Sequence, residues 1–397
     1  MTATSIRTSA WRAPEPAGES SPLTGVRVLD FSALGPGPFC TMLLAAWGAD
    51  VISIDRPGSS DPELNTAHFD VGKRCVQLDL KSAEGREIAR RLAAEADVVF
   101  EGFRPGAMER LGLGPQDLRE VNPGLIYVRL TGYGQDGPYA QRAGHDINYL
   151  AISGALAVIG RGEAAPPLAM LGDFAGGGLT TAFGLMLALR TRDRTGVGTV
   201  LDASIVDGVS MLMYSTAIRG LDPARVRMLD GTAPFYTTYP CADGRRLSVG
   251  ALESRFFVQL LGCLGIDRPD FVGGQFDIRL WPEMRELIGA RLASKPRDEW
   301  AAVLGTADTC TAPVLEADEL AGDPHLTARG TYRKEGDTLR VAVAPRLDSG
   351  PLPCLPPPPR GQDGEDILAG LGFDAARIEE LRSRGVIGAR QADGGPR

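Results

Sequence analysis

Two short segments of the chain place ionisable side chains beside glycines. Gly144-His145-Asp146 follows the glycine-rich stretch Gly132–Pro138, and Asp173, preceded by Gly172, comes 28 residues after His145. The chain has only three histidines, and His145 is the one next to a carboxylate. A histidine and an acid that face one small space are what a two-base proton transfer requires. A histidine beside an aspartate is more often a hydrogen-bonded structural residue, so the assignment depends on what surrounds it.

Charge and cysteine usage exclude several other kinds of site. The net charge of -8 argues against a nucleic-acid protein, because phosphate binding needs a basic face. Six scattered cysteines and three histidines show no spacing typical of a metal site, so no metal is expected. Scattered cysteines in a long chain favour reduced thiols and the cytoplasm. No apolar run approaches the length of a membrane span, and residues 1–22 lack the apolar region of a secretory signal.

The elements that must position these side chains begin after a Ser-, Thr-, Pro- and Ala-rich stretch, residues 1–22, which we predict to be a flexible leader. Residues 26–31 predict a buried strand, residues 39–47 a helix and residues 51–55 a second strand. This is a β-α-β unit, the usual start of a parallel sheet. The turn Gly35–Pro38 imitates a dinucleotide-binding fingerprint, but Cys40 stands where its last glycine belongs and two prolines crowd the turn. We therefore reject NAD binding.

Further strands and helices alternate up to about residue 219, so residues 23–219 predict a large α/β domain with a Rossmann-like parallel sheet. Within it, Ser82 is expected to cap a helix, and a long helix is expected from Phe174 to Arg190. After a linker at 220–233, residues 234–325 predict a smaller α+β domain. Residues 326–390 predict a return linker, with six prolines between Pro351 and Pro359, and a C-terminal part that joins the large domain. Residues 391–397 predict a disordered tail.

At this point the chain resembles a known family, the family III CoA-transferases, which also contains the α-methylacyl-CoA racemases. The resemblance runs from about Leu23 to Val386. It is carried by six motifs in the family's order: residues 25–30 with Gly35–Pro38, Glu101–Gly112, Thr131–Pro138, Gly144–Asp146, Gly172–Phe174 and Gly250–Glu253. The resemblance implies an interlocked homodimer with a large Rossmann-like domain and a small domain.

His145 separates the two activities that the resemblance implies. The transferases resemble this chain at Asp173, which in them becomes acylated, but they generally lack a histidine at the position of His145. The racemases have Gly-His-Asp, as this chain does. A transferase needs a carboxylate nucleophile, whereas a racemase needs two groups on opposite faces of one α-carbon and passes through an enolate. The resemblance therefore implies that His145 serves one face and Asp173 the other.

Two further carboxylates and a glycine run complete the expected catalytic site. Glu253 matches the family residue that hydrogen-bonds the catalytic histidine, and the simpler interpretation is an acid at a helix N-terminus. Asp146 either organises the site or caps the helix that begins near Ile147. Gly176-Gly177-Gly178 after Asp173 indicates either free N–H groups for the enolate or close helix packing.

Coenzyme A carries several negative charges, so arginines at the edge of the sheet are the expected contacts. The candidates in family positions are Arg56, Arg74, Arg104 and Arg110. Tyr149, one helical turn after His145, is expected either to line the thioester site or to belong to the core. Met170, Met211 and Met213 suggest a soft surface for the acyl group, although core packing is the better expectation for any one of them.

The sequence thus predicts a racemase or epimerase of 2-methylacyl thioesters that needs no cofactor, acts on an acyl-CoA or related thioester, and forms a homodimer without nucleic-acid or membrane partners. The alternatives are a CoA-transferase that uses Asp173 as its nucleophile and a non-catalytic acyl-thioester-binding protein. The joint presence of His145, Asp173 and Glu253 argues against the last, because binding alone requires none of them. Residues 361–365, Gly-Gln-Asp-Gly-Glu, depart from the family's usual Gly-Gln/Glu-His-Thr run.

Overall fold

A computed structural model of the chain describes residues 9–11, 21–58, 67–159, 167–218, 228–348, 359 and 361–388. Most of the predicted leader, the first part of the predicted linker 220–233, most of the proline-rich segment and the predicted tail 391–397 lie outside these residues. Within the described ranges, none of the helices combines the length and the apolar character needed to cross a bilayer.

The N-terminal part of the chain alternates strands with helices. Its strands are Arg27–Asp30 (β1), Asp50–Asp55 (β2), Arg74–Gln77 (β3), Val98–Glu101 (β4), Ile126–Thr131 (β5) and Val200–Ser204 (β6). Its α-helices are Pro36–Ala46 (α1), Ala83–Glu95 (α2), Ala107–Arg110 (α3), Pro115–Val121 (α4), Asp146–Ile152 (α5), Ala155–Ile159 (α6), Thr180–Thr195 (α7) and Ile205–Leu212 (α8). A short 3₁₀ turn covers Ala67–Phe69, and a wide π-type helix, Met170–Leu179, leads directly into α7.

The remaining elements are shorter. Helix Tyr214–Ile218 (α9) is followed by strands Tyr236–Pro240 (β7) and Arg246–Gly250 (β8), helices Ser254–Cys263 (α10), Pro269–Gly273 (α11), Trp281–Leu292 (α12) and Arg297–Leu304 (α13), and strand Thr311–Pro313 (β9). Helix Pro324–Ala328 (α14), strands Tyr332–Glu335 (β10) and Thr338–Val341 (β11), and helices Gly364–Gly370 (α15) and Ala375–Ser383 (α16) complete the described chain.

The chain forms two compact units. The first consists of the described residues within Met1–Leu156, Pro166–Leu212 and Arg340–Arg397, and the second of those within Ala157–Ala165 and Met213–Leu339. The second unit therefore continues to Leu339, beyond the limit of 325 predicted for the small domain. It contains the antiparallel sheet β7-β8-β9 and its own apolar core, in which Phe235, Phe257 and Met284 are fully buried.

The first unit is built on a six-stranded parallel sheet in the order β3-β2-β1-β4-β5-β6, which confirms the predicted α/β class. The register aligns Leu29 with Ile52 and with Val99, and Val99 with Tyr127. These four side chains form one row in the core that α2, α15 and α16 cover. The chain leaves β1 toward β2 and β3 and later returns to its other side with β4. The strand order thus reverses beside β1, which is where open α/β sheets bind ligands.

Local signals in the sequence explain several element boundaries. Ser82 caps α2 as predicted, because its hydroxyl accepts a hydrogen bond from the N–H of Gly85. Gly196 ends α7 in the left-handed conformation, with φ of 73°. One predicted boundary was wrong. The helix expected to start at Phe174 begins at Met170, with a π-type helix before α7.

Two residues of the predicted leader belong to the core of the first unit. Ala10 and Trp11 are 3% and 4% exposed and pack in the same apolar cluster as the sheet. The carbonyl of Ala10 accepts a hydrogen bond from Arg74 Nη1 at 2.9 Å. The expectation of a flexible leader is therefore wrong for Ala10 and Trp11, because the large apolar surface of Trp11 is covered by the core.

Candidate active site

A partly buried hydrogen bond joins the two segments that the sequence singled out. Asp146 is the first residue of α5, and its Oδ1 accepts the backbone N–H of Asp173 at 2.8 Å. Asp146 is 7% exposed, and its Oδ2 is buried without a hydrogen-bond partner. A side chain at Gly172 would collide with this carboxylate, since an ideal Cβ there lies 2.2 Å from Oδ1. The Asp146 carboxylate does not cap its own helix, because it is bonded to the N–H of Asp173 and not to the N–H groups of α5. That Asp146 organises the site stays a prediction.

His145 stands immediately before α5 as its N-cap residue, in extended backbone conformation. Its backbone N–H donates to Asn148 Oδ1 at 3.0 Å, and its carbonyl accepts the N–H of Asn148 at 2.8 Å. The residue is exposed, so its ring is not packed in the core. His145 thus lies next to the residue that holds Asp173, with its backbone fixed by the start of a helix.

The pKa of the Asp173 carboxyl is raised to about 6. Burial is the main cause, because it disfavours the charged form, and the negative charge of Asp146 acts in the same direction. The charge of His145 opposes both effects. An acid whose pKa lies near neutrality is populated in both protonation states at physiological pH, as a group that both accepts and donates protons must be.

Tyr149 forms part of the support for this arrangement. Its hydroxyl donates to the carbonyl of Gly144 at 2.5 Å, and its ring lies against Gly132, where an ideal Cβ would be 2.2 Å from it. The ring also packs edge-on against Tyr133, with centroids 5.1 Å apart. Burial, followed by the charge of Asp173, raises the pKa of the Tyr149 hydroxyl to about 12. Tyr149 therefore holds the backbone just before His145 and also lies within the electrostatic reach of Asp173.

The three glycines after Asp173 bring two other helices close. An ideal Cβ would lie 2.6 Å from Val209 at Gly176, 3.0 Å from Pro36 at Gly177 and 2.6 Å from Phe39 at Gly178. The close-packing interpretation of this run is thus correct. The free N–H groups expected at this helix start do not include that of Asp173, because Asp146 accepts it. The approach of α1 also places Gly35 beside Asp173, with an ideal Cβ 3.4 Å from Oδ2.

Glu253 lies in the second unit as the N-cap residue of α10. Its carbonyl accepts the N–H groups of Phe256 and Phe257, but its side chain makes no capping hydrogen bond. The residue is exposed. The position of Glu253 thus agrees with the simpler interpretation, an acid at a helix N-terminus. Its carboxylate, however, does not cap the helix.

A cleft of about 430 Å³ opens at the carboxyl ends of β1 to β4, where the strand order reverses. Arg56, which follows β2, lines it and is exposed. Lys81 and Phe103 also line it, after β3 and β4. Neither residue was predicted from the sequence, although both follow strand ends as Arg56 does.

The other predicted arginines differ in their surroundings. Arg104 and Arg110 are exposed after β4 and at the end of α3. Arg74 is 6% exposed and forms a two-pronged ion pair with Asp50, at 3.0 and 2.6 Å, in addition to its bond to Ala10. Arg74 is therefore occupied by internal partners, and we leave it out of the cleft.

Two of the three methionines expected near the acyl group lie outside the core. Met170, in the π-type helix, is 58% exposed and Met211, in α8, is 56% exposed. Met213 is half-buried. For Met170 and Met211 the expectation of core packing is therefore wrong, because more than half of each residue is exposed.

Comparison with known proteins agrees with the motifs. The chain is 42% identical over 375 residues to the alpha-methylacyl-CoA racemase of Homo sapiens, covering 92% of this chain and 97% of that protein. It is 33% identical to the succinyl-CoA–D-citramalate CoA-transferase of Chloroflexus aurantiacus, covering 92% and 98%. A CAIB/BAIF family protein from Brucella suis, 28% identical, superposes with a TM-score of 0.77 over 89% of this chain and all of the other.

The sequence profile of one family covers most of the chain. It matches residues 23–364, a range that includes His145, Asp146, Asp173 and Glu253 and ends within residues 361–365, the run that departs from the usual pattern. The chain belongs to CoA-transferase family III.

Proposed function

We propose that this protein is a 2-methylacyl-CoA racemase that inverts the α-carbon by proton transfer between two groups. The observation that carries the proposal is the hydrogen bond from the N–H of Asp173 to Asp146, the residue next to His145. The carboxyl group held in this way, that of Asp173, has a pKa raised to about 6. The 42% identity to an alpha-methylacyl-CoA racemase supports the same reaction.

The proposed chemistry assigns one residue to each face of the substrate. Either the imidazole of His145 or the ionised carboxylate of Asp173 removes the α-proton, and the electron pair passes into the thioester to form an enolate. The protonated form of the other residue then donates a proton to the opposite face. Glu253 is proposed to hydrogen-bond the His145 ring and fix its tautomer. The reaction needs no cofactor in this scheme.

Coenzyme A is proposed to bind in the cleft at the strand ends. Arg56 and Lys81 offer positive charge there, and Phe103 offers an aromatic surface for the base. Arg104 and Arg110 lie at the same sheet edge and remain candidates for the phosphates. We propose a homodimer in the cytoplasm as the working form, as expected from the sequence.

The second candidate is a CoA-transferase in which Asp173 attacks the thioester carbon and releases the CoA thiolate. The 33% identity to a CoA-transferase favours it. It assigns no role to His145, whereas the racemase uses both residues, and we therefore rank it second.

Incubation of the pure enzyme with each enantiomer of a 2-methylacyl-CoA in D₂O tests the proposal. We expect deuterium at the α-carbon and loss of optical purity, measured by mass spectrometry and chiral analysis, without any added acceptor acid. Acyl transfer to an added carboxylic acid, with no α-exchange across a panel of acyl-CoAs, would establish the transferase instead.

A further inference from the structure

A buried charge pair lies beneath the first turn of α1 and has no part in the proposed proton transfer. The Lys73 side chain, just before β3, is 1% exposed, and that of Asp30, at the end of β1, is fully buried. Lys73 Nζ is 3.3 Å from Asp30 Oδ2 and 3.7 Å from Asp70 Oδ1. A buried pair is often no more stabilising than apolar packing of the same volume, so its presence here calls for another explanation.

The pair is bonded to three points of residues 32–41, a segment that comprises most of the connection after β1 and the first half of α1. Asp30 Oδ1 accepts both the N–H and the hydroxyl of Ser32, at 2.8 and 2.5 Å. Asp30 Oδ2 accepts the Thr41 hydroxyl at 2.5 Å. Lys73 Nζ donates to the carbonyl of Pro38 at 3.1 Å. The two charges therefore hold the beginning, the middle and the end of the 32–41 segment.

This segment has two functional faces. Ser32 and Pro38 line the cleft proposed for CoA. Gly35 lies against Asp173, since an ideal Cβ there would be in van der Waals contact with Oδ2, at 3.4 Å. Whatever fixes the 32–41 segment thus fixes the backbone next to Asp173 and one wall of the cleft together.

We propose that Lys73 and Asp30 form a positioning pair that holds the 32–41 segment against Asp173, and that catalysis by Asp173 depends on it although neither residue contacts substrate. This inference rests on the proposed function for its kinetic test. A displacement of about 1 Å near a reacting group can cost on the order of 10²-fold in rate. Loosening the segment would also admit water to Asp173.

The test uses Lys73→Met and the double variant Asp30→Asn/Lys73→Met. The double variant leaves no unpaired buried charge, so it keeps the fold if the single variant does not. We expect both to lower kcat for α-exchange by about 10–10²-fold with a smaller change in KM. Because burial is the main cause of the raised pKa of Asp173, the limb of the pH profile that reports Asp173 should move to lower pH. Asp70 and Cys40 next to the pair, and Asp146 and His145 near Asp173, are unchanged in these variants.

Arg192→Met is the matched control. Arg192, whose side chain is 18% exposed, forms an ion pair at 2.7 Å with Asp97 in the same unit. Asp97 directly precedes β4, so this pair lies at the opposite edge of the sheet from the cleft. Arg192→Met should leave kcat and the pH profile unchanged. Lys73→Arg, which keeps the charge, should recover part of the lost rate.

Hydrogen exchange by mass spectrometry provides a readout that needs no activity. Peptides that cover residues 32–41 and 170–179 should exchange faster in the Lys73 variants than in the native protein and in Arg192→Met. If the native protein shows no α-exchange while these peptides respond, the proposed function fails and the positioning pair stands. If the Lys73 variants keep the native kcat and the native rate of amide hydrogen exchange in these peptides, the positioning role of the pair is overturned.

Discussion

His145 and Asp173 have opposite surroundings, and this contrast is the chemical basis of the proposed site. Asp173 is half-buried beside a second carboxylate, whereas His145 is exposed at the start of α5. Two groups that share one reaction but serve different faces need not have similar environments. They need only exchange the roles of acid and base in the two directions.

Removal of either group should affect the two directions of reaction differently. In His145→Ala we expect inversion to fall by about 10²–10⁴-fold, with α-exchange persisting for the enantiomer whose proton faces Asp173. Asp173→Ala should show the opposite preference. Exchange and inversion of each pure enantiomer in D₂O provide the measurement. Near-normal inversion of both enantiomers by His145→Ala would exclude the two-base assignment.

Asp146 provides a second test at this scale, through charge alone. Asp146→Asn keeps an oxygen that can accept the N–H of Asp173 but removes the negative charge that helps to raise the pKa of Asp173. The pKa of Asp173 should fall below about 6, because a nearby like charge no longer opposes its ionisation. The limb of the kcat/KM profile that reports Asp173 should therefore move to lower pH.

The matched control for this variant is Asp207→Asn, which removes one exposed carboxylate from α8 in the same unit. Asp207 is not among the groups that shift the pKa of Asp173. Its pH profile should follow that of the native enzyme. A shift of equal size in both variants would show that overall charge, and not the Asp146 contact, sets the pKa of Asp173.

At the scale of elements, the π-type helix Met170–Leu179 determines where Asp173 lies. The chain enters it through Leu168 and Ala169, two non-glycine residues with positive φ, of 50° and 62°. Such conformations are uncommon for residues with a side chain and concentrate at functional sites. Glycines on this helix and on α8 then allow α1 and α8 to pack closely around it.

Gly208 in α8 tests this close packing. An ideal Cβ there would lie 1.8 Å from the carbonyl oxygen of Gly176, a backbone atom that cannot move alone. Gly208→Ala should destabilise the protein by about 1–3 kcal/mol through overpacking and should lower α-exchange as the π-type helix shifts. Denaturant unfolding and the exchange assay measure the two effects.

Gly262→Ala is the corresponding control within α10, where an added Cβ meets nothing within 4 Å. Here the gain in helix propensity should dominate, with a stabilisation of about 0.5–1 kcal/mol. Equal effects of the two substitutions would contradict the role assigned to the Gly208 contact.

At the scale of the molecule, the first unit presents apolar side chains that a single chain leaves uncovered. Phe183 and Leu187 in α7 are 64% and 54% exposed, and Met170 and Met211 are exposed on neighbouring helices. Large apolar side chains exposed in this way are frequent where proteins bind one another. Their exposure supports the proposed homodimer.

We expect light scattering at nanomolar protein to give the mass of a dimer, with no folded monomer on dilution. Phe183→Asp should shift the protein toward monomers and reduce α-exchange, because a charge would have to be desolvated in the interface. Val121→Asp in α4, where the native side chain is 47% exposed on the same unit, is the control and should leave the dimer intact. An active monomer of native sequence would contradict the proposal.

The sequence determined the fold class, the order of the strands and helices, and the family. These features depend on local patterns, such as the apolar runs of β1 and β2, the cap at Ser82 and the short glycine motifs, each of which involves residues close together along the chain. The family motifs also identified His145 and Asp173 as a pair before any geometry was available.

Only the tertiary structure decided which residues meet across the fold. The bond from Asp173 to Asp146, the internal partners of Arg74 and the burial of Trp11 join residues 24 to 356 positions apart along the chain, the last where Trp11 packs in a cluster with Ile367. No local pattern encodes such contacts, because they depend on how the sheet twists and how closely helices approach. The near-neutral pKa of Asp173 has the same origin, since burial and a neighbouring charge are properties of the folded chain.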